Sequence, residues 1–426
     1  MNSATSEVMR GNARYTLVLL LVVNLLNYVD RQVLYAVFPL IKADFNLSDT
    51  ALGFLGSAFM ICYMCAAPLF GRLGDRVNRA RLAAAGLAVW SVATMTSGVA
   101  MSYRMLLLAR TLVGVGEASF GTVSPSLLSD CVPREHRGRT LALFYLAIPV
   151  GSALGYVLGG QLGQAFGWQR AFLLVGLPGL FLTVPLYYLT DPRHSAGQVG
   201  LHHQERIMPE LRRFWLNRTY VHATLSMAAM TFALGGLAQW APSFLHRSFG
   251  LAVARGNTLF GMITVVSGII GTLAGGWLGD FFQRRSTTGY LYVSAVGFLL
   301  GAPFMALALT TGSLNLSLAA ILVAELFLFL NTGPLNTVLV NVVPPGQRAM
   351  GFAVNIFVIH ALGDAISPAI IGSLSDRWGL SSALLITPLA VLIAALFAWW
   401  GGRFVTADQL AAGEVTICSP RPDPET

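Results

Sequence analysis

The sequence predicts an all-α membrane protein of twelve transmembrane helices in two pseudo-symmetric six-helix halves. Three observations carry that prediction. Only 11% of the 426 residues are charged and 55% are hydrophobic, whereas a soluble domain carries roughly 25% charged residues. Apolar runs of about 20 residues, enough to cross a hydrocarbon core ~30 Å thick, recur between Tyr15 and Arg403. The basic residues, finally, sort to one side of those runs.

Spans are expected near 15–41, 50–71, 80–101, 104–130, 140–163, 170–189, 217–246, 257–280, 288–311, 314–341, 350–374 and 380–402. The first is too long for a signal-peptide core and lacks a small-residue cleavage site, so it counts as a span. With the N-terminus in the cytoplasm, nineteen basic residues fall on that side and six on the other, Arg31 and Arg110 lying within spans. The bias places both termini in the cytoplasm, and that in turn requires an even number of spans. The chain then divides into a tail 1–14, an N-terminal bundle 15–189, a linker 190–216, a C-terminal bundle 217–403 and a tail 404–426. In the linker, Leu201–Trp215 mixes apolar with Arg, His and Glu residues and is expected as a short surface helix weakened by Pro209.

The net charge of +8 would suggest nucleic acid in a soluble protein. Here the basic residues sit in loops between spans, and no nucleic-acid partner is expected. Cys62, Cys65, Cys131 and Cys418 show no ligand spacing, so packing roles are expected, without a metal or a disulfide framework. No nucleophile–base set, HExxH or phosphate-binding loop occurs, so the chain is not expected to be an enzyme or to need a cofactor.

The two halves repeat each other. Gly71-Arg-Leu-Gly-Asp75, followed by Arg76, Arg79 and Arg81, matches Gly276-Trp-Leu-Gly-Asp280, followed by Arg284 and Arg285. Pro133-Arg-Glu-His-Arg137-Gly138 likewise matches Pro344-Pro-Gly-Gln-Arg348-Ala349. A duplicated six-span unit is the plan of many secondary transporters, with the binding site near the midplane between the repeats. The Gly-x-Leu-Gly-Asp loops resemble the signature of the major facilitator superfamily. Asp75, Arg76, Arg79, Asp280 and Arg284 are accordingly expected as a cytoplasmic gate that pairs when that side is shut.

Charges within spans are costly, at least ~2.5 kcal/mol each on insertion scales. The first span holds Asn27, Asp30 and Arg31, and the fourth holds Arg110 and Glu117 on nearly one helix face. Asp30 lies about 22 Å along its helix from Tyr15 at ~1.5 Å per residue, which matches the depth expected of Arg110. An acid–base–acid cluster of Asp30, Arg110 and Glu117 follows, in which a proton on either acid would release Arg110 for an anionic substrate. A static ion network that only fixes helix positions is the alternative. In the fifth span Gly151, Gly155, Gly159 and Gly163 line one face and permit close packing. The second half is poorer in charge. Glu325 is expected at the substrate cavity, with Asn331 and Asn336 as further candidates beside Asn27 and Arg31. His360 and Asp364, four apart, form either a packing pair or a proton relay.

Four segments resemble the Spinster family of transporters: Asn27-Tyr-Val-Asp-Arg31, Gly71 to Arg79, Arg110-Thr-Leu-Val-Gly-Val-Gly-Glu-Ala-Ser119, and Phe144 to Tyr156. The match is close over roughly the first 160 residues and runs by pattern through the rest. The resemblance implies an alternating-access carrier of lysophospholipids or sphingoid phosphates, with Asp30, Arg110 and Glu117 tied to proton coupling and substrate binding. It also implies an amphipathic cavity, polar near spans one and four. The short N-terminal tail fits a bacterial relative in the inner (plasma) membrane, with the lipid bilayer, protons and a lipid-like molecule as partners and a monomer as the working unit. A multidrug or organic-anion carrier would share the scaffold, and a passive channel or lipid scramblase is the alternative of another class.

Overall fold

A computed structural model describes residues 3–132, 137–192, 213–344 and 347–412. The N-terminal half comprises α1 (Ser3–Ala36), α2 (Phe38–Phe45), α3 (Asp49–Gly74), α4 (Arg79–Gly98), α5 (Tyr103–Asp130), α6 (Arg137–Tyr145), α7 (Ala147–Phe166) and α8 (Trp168–Tyr187). The C-terminal half comprises α9 (Arg218–Phe249), α10 (Val253–Gln283), α11 (Gly289–Thr310), α12 (Leu314–Phe329), α13 (Thr332–Val342), α14 (Arg348–Leu362), α15 (Ser367–Trp378), α16 (Leu380–Leu384) and α17 (Ile386–Gly401), with α18 (Val405–Ala411) after it. Several spans are broken helices: α6 with α7, α12 with α13, α14 with α15, and α16 with α17.

Among the described residues eleven helical stretches are long and apolar enough to cross a membrane. The twelfth, α4, is diluted by Arg79, Arg81 and a run of Ala, Ser and Thr, yet it packs along α5 and α8 as a full member of the bundle. The twelve-helix plan therefore holds. α1 begins at Ser3, so it runs through the stretch expected as a polar tail. The expected surface helix of the linker lies outside the described residues except for its end, where 213–216 is helical and Phe214 stacks on Tyr220 of α9 at 5.2 Å. Residues 133–136 of the Pro133 loop and 345–346 of the Pro344 loop also lie outside the described residues.

The duplication is visible in backbone geometry. Gly167 (φ 88, ψ 155) and Gly379 (φ 80, ψ 156) make the same left-handed turn into the sixth span of each half, a conformation that glycine adopts without a steric penalty. Within the N-terminal half, α7 lies along α1, because Gly151, Gly155 and Gly159 leave room for the backbone at Leu25, Val29 and Val33.

The start of α1, the ends of α3 and α10 with their Gly-x-Leu-Gly-Asp motifs, and α18 lie at one face, called here the terminal face. The halves meet toward the opposite face. There α3 packs on α15, where Gly53 touches the Pro368 carbonyl, and α7 packs on α10. One hydrophobic core cluster joins both halves, with Phe38 against Trp240 at 5.5 Å. A second belongs almost wholly to the N-terminal half and includes Phe59, Trp90 and Phe120. Toward the terminal face the halves diverge, and that divergence opens the cavity.

Candidate functional site

Between the halves lies a cavity of about 1090 Å³, lined mainly by apolar side chains. The N-terminal half contributes Tyr28, Arg31, Gln32 and Tyr35 from α1 and Phe59 from α3. The C-terminal half contributes Gln239, Thr264, Glu325, His360 and Asp364. The rim toward the terminal face carries Leu143, Tyr145, Leu273 and Thr332.

Arg31 is the cationic group of the wall. Its Nε donates to Glu117 Oε2 at 2.6 Å, with Glu117 fully buried and the Arg31 side chain 14% exposed. The guanidinium lies 5.1 Å from the ring centre of Tyr28, 5.2 Å from Phe59 and 4.9 Å from Tyr63. Three rings thus hold it by their negative faces while its edge stays open to the cavity. Behind this pair, Arg110 Nη1 donates to Asp30 Oδ1 at 3.3 Å, and Thr94 donates its hydroxyl to Asp30 Oδ2. The depth match of Asp30 and Arg110 is therefore met.

The expected cluster is corrected in its wiring. Glu117 pairs with Arg31 and not with Arg110, so the four charges form two ion pairs and the residue facing the cavity is Arg31. Asp30 and Arg31 are neighbours about 100° apart on α1, so their side chains reach α5 at different levels and meet Arg110 and Glu117 separately. Phe59 separates the pairs, its ring centre 5.2 Å from one guanidinium and 5.6 Å from the other. Neither Glu117 Oε1 nor Arg110 Nε has a hydrogen-bond partner among the described residues. Each pair thus keeps unused capacity in a medium where an unmade bond is costly.

Glu325 reaches the cavity as expected and is held by Ser267 Oγ at 2.8 Å and Thr264 Oγ1 at 3.4 Å. His360 Nδ1 lies 2.8 Å from Asp364 Oδ1, and both line the cavity where α14 breaks at Gly363. Three expectations fail. Asn27 and Asn331 are buried away from the cavity, Asn331 donating to the Leu328 carbonyl, and Asn336 is half-buried outside the cavity wall and bonds Thr332 O at 2.7 Å. Amides in a helix interior satisfy the local backbone first, and these do so or pack instead of facing substrate.

The gate residues also depart from expectation. Arg79 does not face the opposing half. It is buried within its own half, with Nη2 2.6 Å from Asp191 Oδ1 and Nη1 2.8 Å from Asp130 Oδ2, and so ties together the ends of α4, α5 and α8. Asp280 accepts from Tyr290 Oη at 2.7 Å across the turn into α11.

The tightest polar contact between halves was not foreseen, and it lies at the opposite face. Asp49, 3% exposed at the start of α3, accepts from Arg247 Nη1 at 2.6 Å and Nη2 at 2.8 Å, from Ser375 Oγ at 2.5 Å and from Lys42. In return Asp376 of α15 accepts from the backbone N–H groups of Asp49 and Thr50 at 2.7 and 2.9 Å. The side chain of one half thereby caps a helix of the other. In sequence these charges look like ordinary loop residues, and only the fold brings them together.

The chain matches the Major Facilitator Superfamily model over residues 20–368. It is 36% identical over 394 residues to protein spinster homolog 1 of Bos taurus, covering 86% of this chain and 74% of that protein. It is 33% identical to the sphingosine-1-phosphate transporter SPNS2 of Mus musculus, covering 91% of this chain and 77% of that protein. Its fold is similar to that of a bacterial homologue of the human lysosomal transporter Spinster in an inward-facing, unoccupied conformation. That match has a TM-score of 0.84 and 23% identity and covers 93% of this chain and 98% of the other. A D-xylose–proton symporter shares the fold at a TM-score of 0.71 and 18% identity, over 90% of this chain and 96% of that one. With spinster proteins matched along most of its length, this multi-pass membrane protein belongs to the spinster family of major facilitator transporters.

Proposed function

We propose that the protein is a proton-coupled, alternating-access carrier of anionic amphiphiles of the lysophospholipid or sphingoid phosphate class. The observation that carries this reading is the Arg31–Glu117 pair in the wall of a large, mostly apolar cavity. An ionised Glu117 neutralises Arg31. A proton on Glu117 removes that partner and leaves a cation at the cavity surface, which an anionic head then compensates. Proton and anion therefore bind in support of each other, while the apolar wall takes the chain. Asp30, Arg110 and Thr94 hold the second layer and keep Arg31 at its level. The sphingosine-1-phosphate transporter among the relatives supports the lipid class. The sided distribution of basic residues supports a plasma-membrane protein with the terminal face in the cytoplasm. The carrier would work as a monomer, its cavity being complete within one chain. Asp75, Arg76 and Arg284 would approach one another when the terminal face shuts.

The test is flux in proteoliposomes under an imposed pH gradient, comparing a lysophospholipid, a sphingoid phosphate and a cationic drug. Gradient-driven flux of the anionic lipids is expected, lost in Arg31→Ala and made insensitive to pH in Glu117→Gln. Flux of every probe without a gradient would sink the coupled carrier. Transport of the drug alone would sink the lipid assignment.

A further inference from the structure

The helix α10 carries an apolar stripe that starts inside the cavity and continues beyond it. Ile269 and Leu273 line the cavity, and Trp277 and Phe281 follow at steps of four residues, so all four stand on one helix face. Leu273 is 70% exposed and Trp277 67%. Trp277 and Phe281 stack at 5.8 Å with their planes 20° apart, and the Arg285 guanidinium, one step further, lies 3.9 Å over the Phe281 ring. The stripe thus has an apolar body, an aromatic end and a fixed cation at the terminal face. The rim residues Leu143 and Tyr145 stand across the cavity mouth from it, 42% and 47% exposed.

The pseudo-symmetric helix α3 supplies an internal comparison. It also exposes a stripe at four-residue steps through Ile61, Cys65, Leu69 and Leu73, with Ile61 40%, Leu69 64% and Leu73 41% exposed. None of these lines the cavity, which α3 meets only through Phe59 and Met60. Bilayer contact alone accounts for α3. It does not account for the continuity of the α10 stripe with the cavity, nor for the arginine stacked at its outer end.

The geometry points to a loading site for the transported amphiphile on α10: the chain lies along Leu273, Trp277 and Phe281, and the anionic head sits at Arg285 before sliding inward to Arg31. The assignment rests on the proposed lipid substrate. Chain and head are offered the same order of apolar and cationic groups outside the cavity as inside it. The ligand moves along a surface of constant character instead of leaving the lipid in one step. An anionic membrane lipid and a transported lysolipid share this chemistry, and competition separates them.

The test uses the full-length protein in proteoliposomes with a lysophosphatidylglycerol bearing a diazirine in its acyl chain, followed by mapping of the adducts. Adducts on 269–285 that are displaced by excess unlabelled lysophosphatidylglycerol but not by phosphatidylglycerol are expected, with residues 61–77 labelled weakly and without displacement. Trp277→Ala and Arg285→Gln should each slow initial uptake about threefold to tenfold, the loss of one cation–π or aromatic contact. Leu69→Ala should leave it unchanged. Equal, undisplaced labelling of the two stripes would overturn the site, as would unaltered uptake in both α10 variants. Displaceable labelling of α10 without any uptake by the wild type would fall on the proposed transport function and support the docking surface.

Discussion

The two halves share a topology and differ in how they hold their polar groups. In the N-terminal half, buried charges are paired with charges: Arg31 with Glu117, Arg110 with Asp30, Arg79 with Asp191 and Asp130. In the C-terminal half, the buried acid Glu325 is held by hydroxyls, and other buried polar groups bond neutral partners, as Asn355 does with Thr224 and Ser226 with the Ala394 carbonyl. Ion pairs are stiff and all-or-none, because losing one member leaves an uncompensated charge. Neutral hydrogen bonds are cheaper to rearrange. The comparison assigns switching to the first half and accommodation to the second.

The strongest test of that comparison is Arg79→Ala. It strands two carboxylates at the ends of α4, α5 and α8 and should cost about 3–5 kcal/mol, read as the largest loss of thermal stability in the series. A small loss would show that the N-terminal charges are not a rigid frame. Next comes Asp49→Asn, which keeps the shape but gives up the charge-assisted bonds from Arg247 and Lys42, worth about 1.5–3 kcal/mol. The opposite face should then open more often, so that a cysteine at Ser57, in a background without the native cysteines, is alkylated about tenfold faster from that side. Unchanged alkylation would mean that the α3–α15 packing alone holds the halves shut. Glu325→Gln keeps both hydroxyls within reach and should change the half-saturating substrate concentration about twofold to fivefold, for one altered hydrogen bond, with the pH profile intact. A pH profile flattened as in Glu117→Gln would place coupling in both halves. At the small end, Asp280→Asn on the exposed turn before α11 should leave thermal stability unchanged, since its partner Tyr290 can still donate.

Much of this architecture was legible in the sequence. Twelve spans followed from hydropathy together with the sided charges. Without the charges, α4 falls below the hydropathy of its neighbours and the count stops at eleven. The depth of Asp30 against Arg110 followed from helical rise, which holds along any straight helix. The pairing of Glu117 did not follow, because it depends on the rotation of α1 against α5. Spacing within α5 alone carries no information on that. The aromatic box was half visible, with Tyr28 three residues before Arg31, while Phe59 and Tyr63 come from another span. Asp49, Arg247 and Asp376 were invisible for a different reason. They sit at helix ends, where charges are common, and nearly two hundred residues or more separate Asp49 from its partners across the interface.

The capping of α3 by Asp376 gives the closed state a local signature. The first two amide hydrogens of α3, at Asp49 and Thr50, are bound by a carboxylate of the other half, whereas the third, at Ala51, is bound by the Ser48 hydroxyl of its own half. When the halves part, those two amides lose their acceptors to water while the next turn keeps its own. Deuterium uptake at positions 49 and 50 therefore counts the time spent open at that face, without any label attached to the protein.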